Sequence, residues 1–538
     1  ATPNIETIIR DHVTLTVDCI DRLYLNGYVP RLQTSGQLYW FLREHLGDPV
    51  PSPALFRPLH DRFVREVMAF AEAGKIPVVP FERGQRKDDV AAEYRARFAG
   101  AEGVVFIGVA QERASAFKAR KLTGPERGVL FEFSRQSVAV NHYYFYVQDR
   151  ERGPGLVKVG TYLPYPVRVC LNGHEWAKQQ ARRVGLGFTA LDNGFLACDG
   201  PARLQAICDG LGPADVQRFF DRWEARLPWP LTPADRAAGY RHRLSIWQLE
   251  LSRTQVFDRP VQGRHFFEAV IRENLDLGRP DRIGLLFPTR ITRRTPAPAH
   301  GYRTRVITSG IAPSPHVEYK HTDVKQYFKE ERALWTETTI NDPTDFQSRK
   351  ALETLPQLRA TGARINQQLL AVERVSQACS LRRDALAQLQ TPRQQDGRRI
   401  PALRFGDPRV LALLQALCGF AHLPVGFRNR DLRPIVAALL GRDLTTYSRG
   451  AMTYDLRRLR LHGLIERLPR THRYILTSFG LRVAFFCSKV YLRILRPGSA
   501  AIVDPPDDLP HPLRDALRHL DQAITQLCAA AQLHPEAA

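Results

Sequence analysis

Between residues 407 and 495 the apolar side chains change period in a fixed order: three helical stripes, two short alternating runs around a polar tip, then a fourth helical stripe. A period of 3.6 and a period of 2 place side chains on different surfaces, so this order limits the possible folds more than any other feature of the chain. Asp407 and Pro408 make an N-cap and first-turn pair, followed by the stripe Val410, Leu411, Leu414, Leu417 and Cys418. Asn429 is expected to cap a second helix with the stripe Leu432, Val436, Leu439 and Leu440, ending at Gly441. Ser448 is expected to cap a third, with Met452, Leu456 and Leu459 inward and Gly463 as its stop. Its opposite face carries Arg449, Thr453, Arg457 and Arg460. LIERL and RYILT then read as two strands around the tip PRTH, and Ser478 as the cap of a closing helix.

Charge singles out the same region. The chain has a formal net charge of +22 and a pI near 10, a field that draws polyanions at long range. Residues 428–496 hold fifteen Lys or Arg against four Asp or Glu, half of the net charge in about an eighth of the chain. The order helix, helix, helix, hairpin, helix resembles the winged-helix superfamily, in particular the MarR-like pattern in which a helix ending LxxxGLI precedes a basic wing. That resemblance implies a duplex DNA partner. The third helix would read base edges in the major groove through Arg449, Thr453, Arg457 and Arg460, and Arg467, Arg470, His472 and Arg473 of the wing would hold phosphates. A winged helix that docks a protein is the competing use.

The preceding four hundred residues are more than such a module needs. A chain of 538 residues with 44% hydrophobic content is expected to form three or four domains. No run of eighteen apolar residues occurs, and the opening ATPNIETIIRDHVTLTVDC has no secretory pattern, so a cytoplasmic location without a membrane partner is expected. The eight cysteines form no CxxC pair and read as reduced thiols rather than zinc ligands. Over residues 1–135, apolar runs such as VTLTVDCI, IPVVPF and GVVFIGVA alternate with helical stripes, which predicts a parallel α/β layer. Asp18, Asp21 and Glu112 would then lie near strand ends and hold Mg²⁺ or Mn²⁺, the other reading being surface or capping carboxylates.

Residues 136–350 read as a mixed α+β domain with an aromatic-rich sheet. NHYYFYVQD, GLVKVGTYL and PVRVCL followed by HEWAKQQARRVG give a βββα order. With Asp149, Glu175 and Asp192 it resembles ribonuclease H-like enzymes, which share metals between carboxylates. The same segment resembles the GIY-YIG nucleases through Tyr144 or Tyr146, Tyr162, Arg168 and Glu175, although PVRVCL reads as a strand where that family has a helix. The plain alternative is a sheet core with Asp149 in a turn. Farther on, VEYKHTDVKQYFKEERALWTETTIND interleaves Lys320, Lys325 and Lys329 with Tyr319, Tyr327 and Phe328, the composition of a platform for single-stranded DNA or RNA. It resembles rolling-circle replication initiators, which would make Tyr327 a nucleophile, but their histidine-hydrophobic-histidine motif is missing. An ordinary strand tyrosine is the default.

A helical connector and polar linker are expected over residues 351–400, the winged helix over 401–498, and a linker with an amphipathic helix over 499–538. That last helix carries Leu513, Leu517, Leu520, Ile524 and Leu527, a seam suited either to homodimerisation or to packing back on the chain. The strings DCIDRLYLNGYVP, YPVRVCLNGHEWAKQQ, ETTINDPTDF and LPVGFRNRDLRP resemble a large group of uncharacterised bacterial proteins over the full length. The expected function is sequence-preferring duplex DNA binding by a mobile-element or DNA-processing protein of nuclease, transposase or initiator type. The alternative is a transcriptional regulator with a large amino-terminal ligand or partner domain.

Overall fold

The computed structural model describes residues 5–82, 84–124, 128–274, 302–307, 314–329, 332–377, 383–395, 398–419, 426–469 and 471–491, with three isolated positions beyond. Apart from those three positions, the amphipathic helix expected within residues 499–538 lies outside this set. Two compact units emerge, one of residues 1–268 and 283–370, the other of 269–282 and 371–538. No helix among the described residues is long and apolar enough to cross a membrane.

In the first unit the chain runs through α1 (Ile5–His12), β1 (Val13–Tyr28), α2 (Ser35–Trp40), α3 (Phe56–Ala73), β2 (Val78–Pro80), α4 (Lys87–Arg97) and the long strands β3 (Gly103–Gly124) and β4 (Gly128–Asp149). It continues through β5 (Gly153–Gly160), β6 (Val167–Asn172), α5 (Gly173–Arg183), β7 (Phe188–Leu191), β8 (Gly194–Cys198), α6 (Pro201–Asp209), α7 (Pro213–Arg226) and α8 (Pro233–Ala237). Then come β9 (Arg243–Phe257), α9 (Pro260–Asn274), β10 (Tyr302–Ile307), β11 (Ser314–Tyr319), β12 (Thr322–Lys329), β13 (Ala333–Ile340) and α10 (Leu355–Gln377), with the ends of α9 past Glu268 and of α10 past Leu370 counted in the second unit.

One eleven-stranded sheet organises this unit, in the order β10-β11-β12-β13-β9-β1-β6-β5-β4-β3-β2. The parallel layer expected over residues 1–135 is not formed: β2 with β3 is the parallel pair, and the other pairs of the sheet are antiparallel. Connection length explains part of the difference. The links from β3 through β6 are too short for the dozen or more residues a parallel crossover needs, and β1, although followed by a long link, pairs with β9 and β6 instead of β2 or β3. Strand β4 also runs through the expected boundary at residue 135, so the two expected amino-terminal domains share one sheet. Alternate residues Leu23, Leu25, Phe145, Val157, Val159, Val167 and Val169 are buried on one face, where Phe63 of α3 meets Tyr143 and Phe219 of α7 lies over Gly155. The other face is polar and aromatic, and α4 covers its β3–β4 end with Val90, Ala91 and Tyr94 against Phe106, Tyr144 and Tyr146.

The second unit contains α11 (Arg383–Gln390), β14 (Arg393–Gln395), β15 (Arg398–Ile400), α12 (Pro408–Gly419), α13 (Asn429–Leu439), α14 (Arg449–Leu461), β16 (Ile465–Arg467), β17 (Tyr474–Leu476) and α15 (Ser478–Val490). Helix α14 starts where Ser448 accepts a hydrogen bond from the Ala451 amide, and ends before Gly463 at φ 75°. Asn429 is not a cap: Arg428 holds that position, and the Asn429 amide donates instead to the Arg449 carbonyl and Thr453 hydroxyl. Thr477, one residue before the expected Ser478, caps α15. Phe427 and Tyr474 exchange backbone hydrogen bonds beside the β16–β17 hairpin. Leu413, Leu417, Leu432, Val436, Met452, Leu456, Leu459 and Leu464 form the core. A β-carbon on Gly480 would stand 1.8 Å from the Leu464 carbonyl oxygen, so only glycine lets α15 approach the hairpin this closely.

Candidate metal centre and candidate nucleic-acid interface

The centre of the sheet holds a cluster of acids. Strand β9 lies between β1 and β13, with Arg22 and Thr339 opposite Glu250 and Ser252 opposite Glu337. A register shift between Ile20 and Arg22 interrupts β1 at Asp21. Asp21, Glu250 and Glu337 thereby each offer one carboxylate oxygen, all within 4.8 Å of one another. Asp21 and Glu337 are buried and Glu250 is half-buried.

Neutral and cationic donors surround the three acids. Asn193, in the β7–β8 turn, donates to Asp21 at 2.6 Å, and Gln248 donates to Glu250 at 2.7 Å. Lys325 of β12 is 2.9 Å from Glu337, and the Tyr327 hydroxyl donates to the other Glu337 oxygen at 3.1 Å. Burial, with Glu337 and Asp21 adding repulsion, pushes the Glu250 carboxyl up to about 7. Burial and the neighbouring Glu337 also push the Tyr327 hydroxyl well above its usual range. Burial disfavours the Lys325 charge, but Glu337 and Glu250 outweigh it and raise the ammonium. An all-oxygen donor set of this kind suits a hard divalent cation such as Mg²⁺ or Mn²⁺.

The set expected from sequence is different, and only Asp21 belongs to both. Asp18 points to the opposite face of β1, where its carboxylate meets Arg253 at 2.8 Å and the Gln367 amide at 3.5 Å. Burial raises the Asp18 carboxyl and Arg253 opposes the shift. Glu112 lies on β3, four strand spacings from β1 in the sheet order, or about 19 Å. Lys87, Lys158 and Tyr144 hold its carboxylate, and although burial works the other way, these partners keep it far below the usual carboxylate range. Asp18, Asp21 and Glu112 therefore do not form one centre.

Among the described residues Asp149, Glu175 and Asp192 do not form a carboxylate cluster, while the register brings Tyr144 and Arg168 to one face on either side of Lys158. Asp149 is fully buried, accepting from the Glu151 and Arg152 amides and from Trp223 Nε1 at 3.0 Å, with Arg222 at 3.3 Å. It anchors a turn. Glu175 pairs with Lys178 at 2.6 Å in the first turn of α5, and Lys178 also donates to the Asp192 carbonyl. Tyr144 belongs to the Glu112 group, Tyr146 stacks on Phe106 at 4.4 Å, and Tyr162 lies against His60. Arg168 is on strand β6, its guanidinium 4.1 Å from the Trp247 ring centre.

The lysines expected to form a platform are engaged within the sheet unit: Lys320 with Asp345, Lys325 with Glu337, and Lys329 with the Asn193 carbonyl and the Trp335 ring. Alternation along β12 turns Lys325, Tyr327 and Lys329 to one face, and there Tyr327 reaches the acid cluster. Sequence reasoning missed Glu250 and passed over the role of Glu337. The signal was there: both are carboxylates inside apolar strand runs, IWQLELS and ALWTETTI, where a charged residue needs a partner.

In the second unit, Arg449, Thr453, Arg457 and Arg460 are all exposed on α14, opposite buried Met452, Leu456 and Leu459. Among the described residues, Arg449, Arg457 and Arg460 have no side-chain ion pair. Arg467 and His472 are exposed on the hairpin, with Arg467 Nε donating to the Thr471 carbonyl at 2.7 Å. Arg473 is not available as expected. It is buried just before β17, and its guanidinium donates to the Gly426 carbonyl at 3.0 Å. Arg470 lies outside the described residues. A second arginine pattern serves the fold: buried Asp455 receives Arg409 at 2.8 Å and the Tyr447 hydroxyl at 2.5 Å.

No protein-family model, no curated protein and no solved structure matches this chain.

Proposed function

We propose that the chain binds duplex DNA with sequence preference through a winged helix formed by residues 408–490. In this reading α14 enters the major groove, Arg449, Thr453, Arg457 and Arg460 face base edges, and Arg467 and His472 meet phosphates. The observation that carries the proposal is the row of exposed arginines on α14 without carboxylate partners among the described residues, beside an exposed basic hairpin. Arginines that served only the fold would resemble Arg409 and Arg458, which lie against Asp455.

The acid cluster favours a DNA-processing protein over a regulator with a ligand domain. Asp21, Glu250 and Glu337 would hold a divalent cation, whose chemistry would be polarisation of a phosphodiester and activation of water. Lys325 would balance charge beside Glu337, and Tyr327 would orient that carboxylate through its hydrogen bond. Incubating the full chain with labelled duplex and single-stranded DNA, with and without Mg²⁺ or Mn²⁺, tests both parts. Sequence-preferring retention of duplex together with metal-dependent strand scission or joining is the expected result. Retention without any strand chemistry would leave the regulator, and absence of retention would end the DNA reading.

A further inference from the structure

Strands β3 and β4 pair for far longer than the rest of the sheet supports. Pairing of β4 with β5 ends at His142 opposite Gly160, and β2 reaches only Val109 of β3. From Glu112 opposite Val140 to Gly124 opposite Gly128, the two strands pair only with each other. At about 3.4 Å per residue this is an arm roughly 40 Å long. Its base is anchored: Ala116, Phe117 and Phe133 are buried, Ser35 donates to the Phe133 carbonyl at 2.6 Å, and the Phe117 amide donates to the Leu163 carbonyl at 3.1 Å. Isolated two-stranded hairpins are marginal in water, so this anchoring matters to its persistence.

The arm is basic. Residues 112–140 hold Arg113, Lys118, Arg120, Lys121, Arg127 and Arg135 against Glu112, Glu126 and Glu132. Arg120 pairs with Glu132 at 2.7 Å, and Arg135 donates to Ser115 and lies over the Phe117 ring. Arg113, Lys118 and Lys121 are exposed and have no ion pair among the described residues. Alternation puts Lys118 and Arg120 on one face and Arg113, Lys121 and Arg135 on the other. Positive charge therefore stands on both faces of the ribbon.

We propose that this β-ribbon is a second DNA-binding element, an arm that lies along the phosphate backbone of the duplex and adds affinity without base preference. The inference rests on the reading of the chain as a duplex DNA-binding protein, and it assigns a partner to a surface which that reading leaves unexplained. A two-stranded ribbon is narrow enough for a DNA groove, and charge complementarity identifies the partner. The competing role for such lysines is protection of exposed strand edges against self-association.

The test is the full chain carrying Lys118→Gln and Lys121→Gln, compared with the parent and with Arg457→Ala, on preferred and random duplexes across a salt series. The double variant is expected to lower the slope of log K against log salt by roughly two on both duplexes, leaving the ratio between them unchanged. Arg457→Ala is expected to change the ratio. An unchanged slope in the double variant overturns the arm's role while leaving the α14 reading intact. Self-association with an unchanged slope overturns it in favour of edge protection. A reduced slope with no effect of Arg457→Ala supports the arm and removes α14. A parent that binds no duplex overturns both.

Discussion

Asp21, Glu250 and Glu337 come from three strands far apart in the chain, whereas Arg449, Thr453, Arg457 and Arg460 come from thirteen consecutive residues of one helix. The acids are withdrawn from water and the arginines face it. At an effective dielectric of about 20, two carboxylates 4.8 Å apart repel by ~3 kcal/mol, so a buried trio must recruit a proton or a cation. Lys325 and the raised Glu250 carboxyl supply part of this compensation. The arginines require none, because solvent screens them, and their charge remains available to an outside partner. Residues of one charge type thus do different work according to burial. Within α14 itself, Arg457 faces out while Arg458 lies against buried Asp455.

The sharpest way to break the contrast on α14 is to substitute adjacent residues. Leu456→Ala should destabilise the second unit by ~2 to 5 kcal/mol, because it leaves a cavity among Met452, Leu459 and the neighbouring helices. Arg457→Ala should change stability by less than about 0.5 kcal/mol, yet cost ~1 to 3 kcal/mol on the preferred DNA site and relax preference at one or two base pairs. Chemical denaturation paired with binding assays separates the two. A destabilised Arg457→Ala would place that side chain in the fold.

The acid cluster predicts a pH dependence with a definite sign. Glu250 titrates near 7 in the folded chain and near 4.5 when unfolded, so between those values the folded state holds the extra proton. Stability then falls as pH rises from about 4.5 to 7, by at most ~3 kcal/mol, and stays low above. Glu250→Gln should flatten this slope in denaturation curves taken at pH 5, 6, 7 and 8. Mg²⁺ or Mn²⁺ binding should strengthen over the same range, since the metal must displace the Glu250 proton. Metal affinity indifferent to pH between 6 and 8 would remove Glu250 from the ligand set.

Legibility in the sequence followed the same division. The α14 stripe, the Ser448 cap, the Gly463 stop and the basic face of α14 are all encoded within a few residues of one another, and each is where the sequence puts it, whereas Leu439, expected in the α13 stripe, is exposed. The acid cluster depends on a strand order that places β9 between β1 and β13 and on a register shift at Asp21, neither of which leaves a local trace. Asp18 was misplaced because its carboxylate belongs to the other face, where Arg253 waits. The β3–β4 arm has no counterpart among the strands expected from sequence: GVVFIGVA ends and NHYYFYVQD begins at its base, and pairing length is a property of both segments together. Tyr327 lies beside the acids because Lys325, Tyr327 and Lys329 share one side of β12.

The hairpin gives the smallest predicted effect and the finest contrast, between Arg467 and Arg473. Arg473 is buried and donates to the Gly426 carbonyl, the residue before the Phe427–Tyr474 bridge. Its replacement by Ala leaves that carbonyl without this donor and should cost ~1 to 3 kcal/mol of stability. Arg467 is exposed, and its bond to the Thr471 carbonyl is replaceable by water. Arg467→Ala should leave the fold intact and lower the slope of log K against log salt by roughly one, equally for all duplexes, as expected when one phosphate contact is lost. If Arg473→Ala instead alters DNA binding while stability holds, the inward arginine contacts the duplex after all and the hairpin must open to present it. An unchanged salt slope in Arg467→Ala would take that side chain out of the DNA contact and leave its bond to the Thr471 carbonyl as its only role.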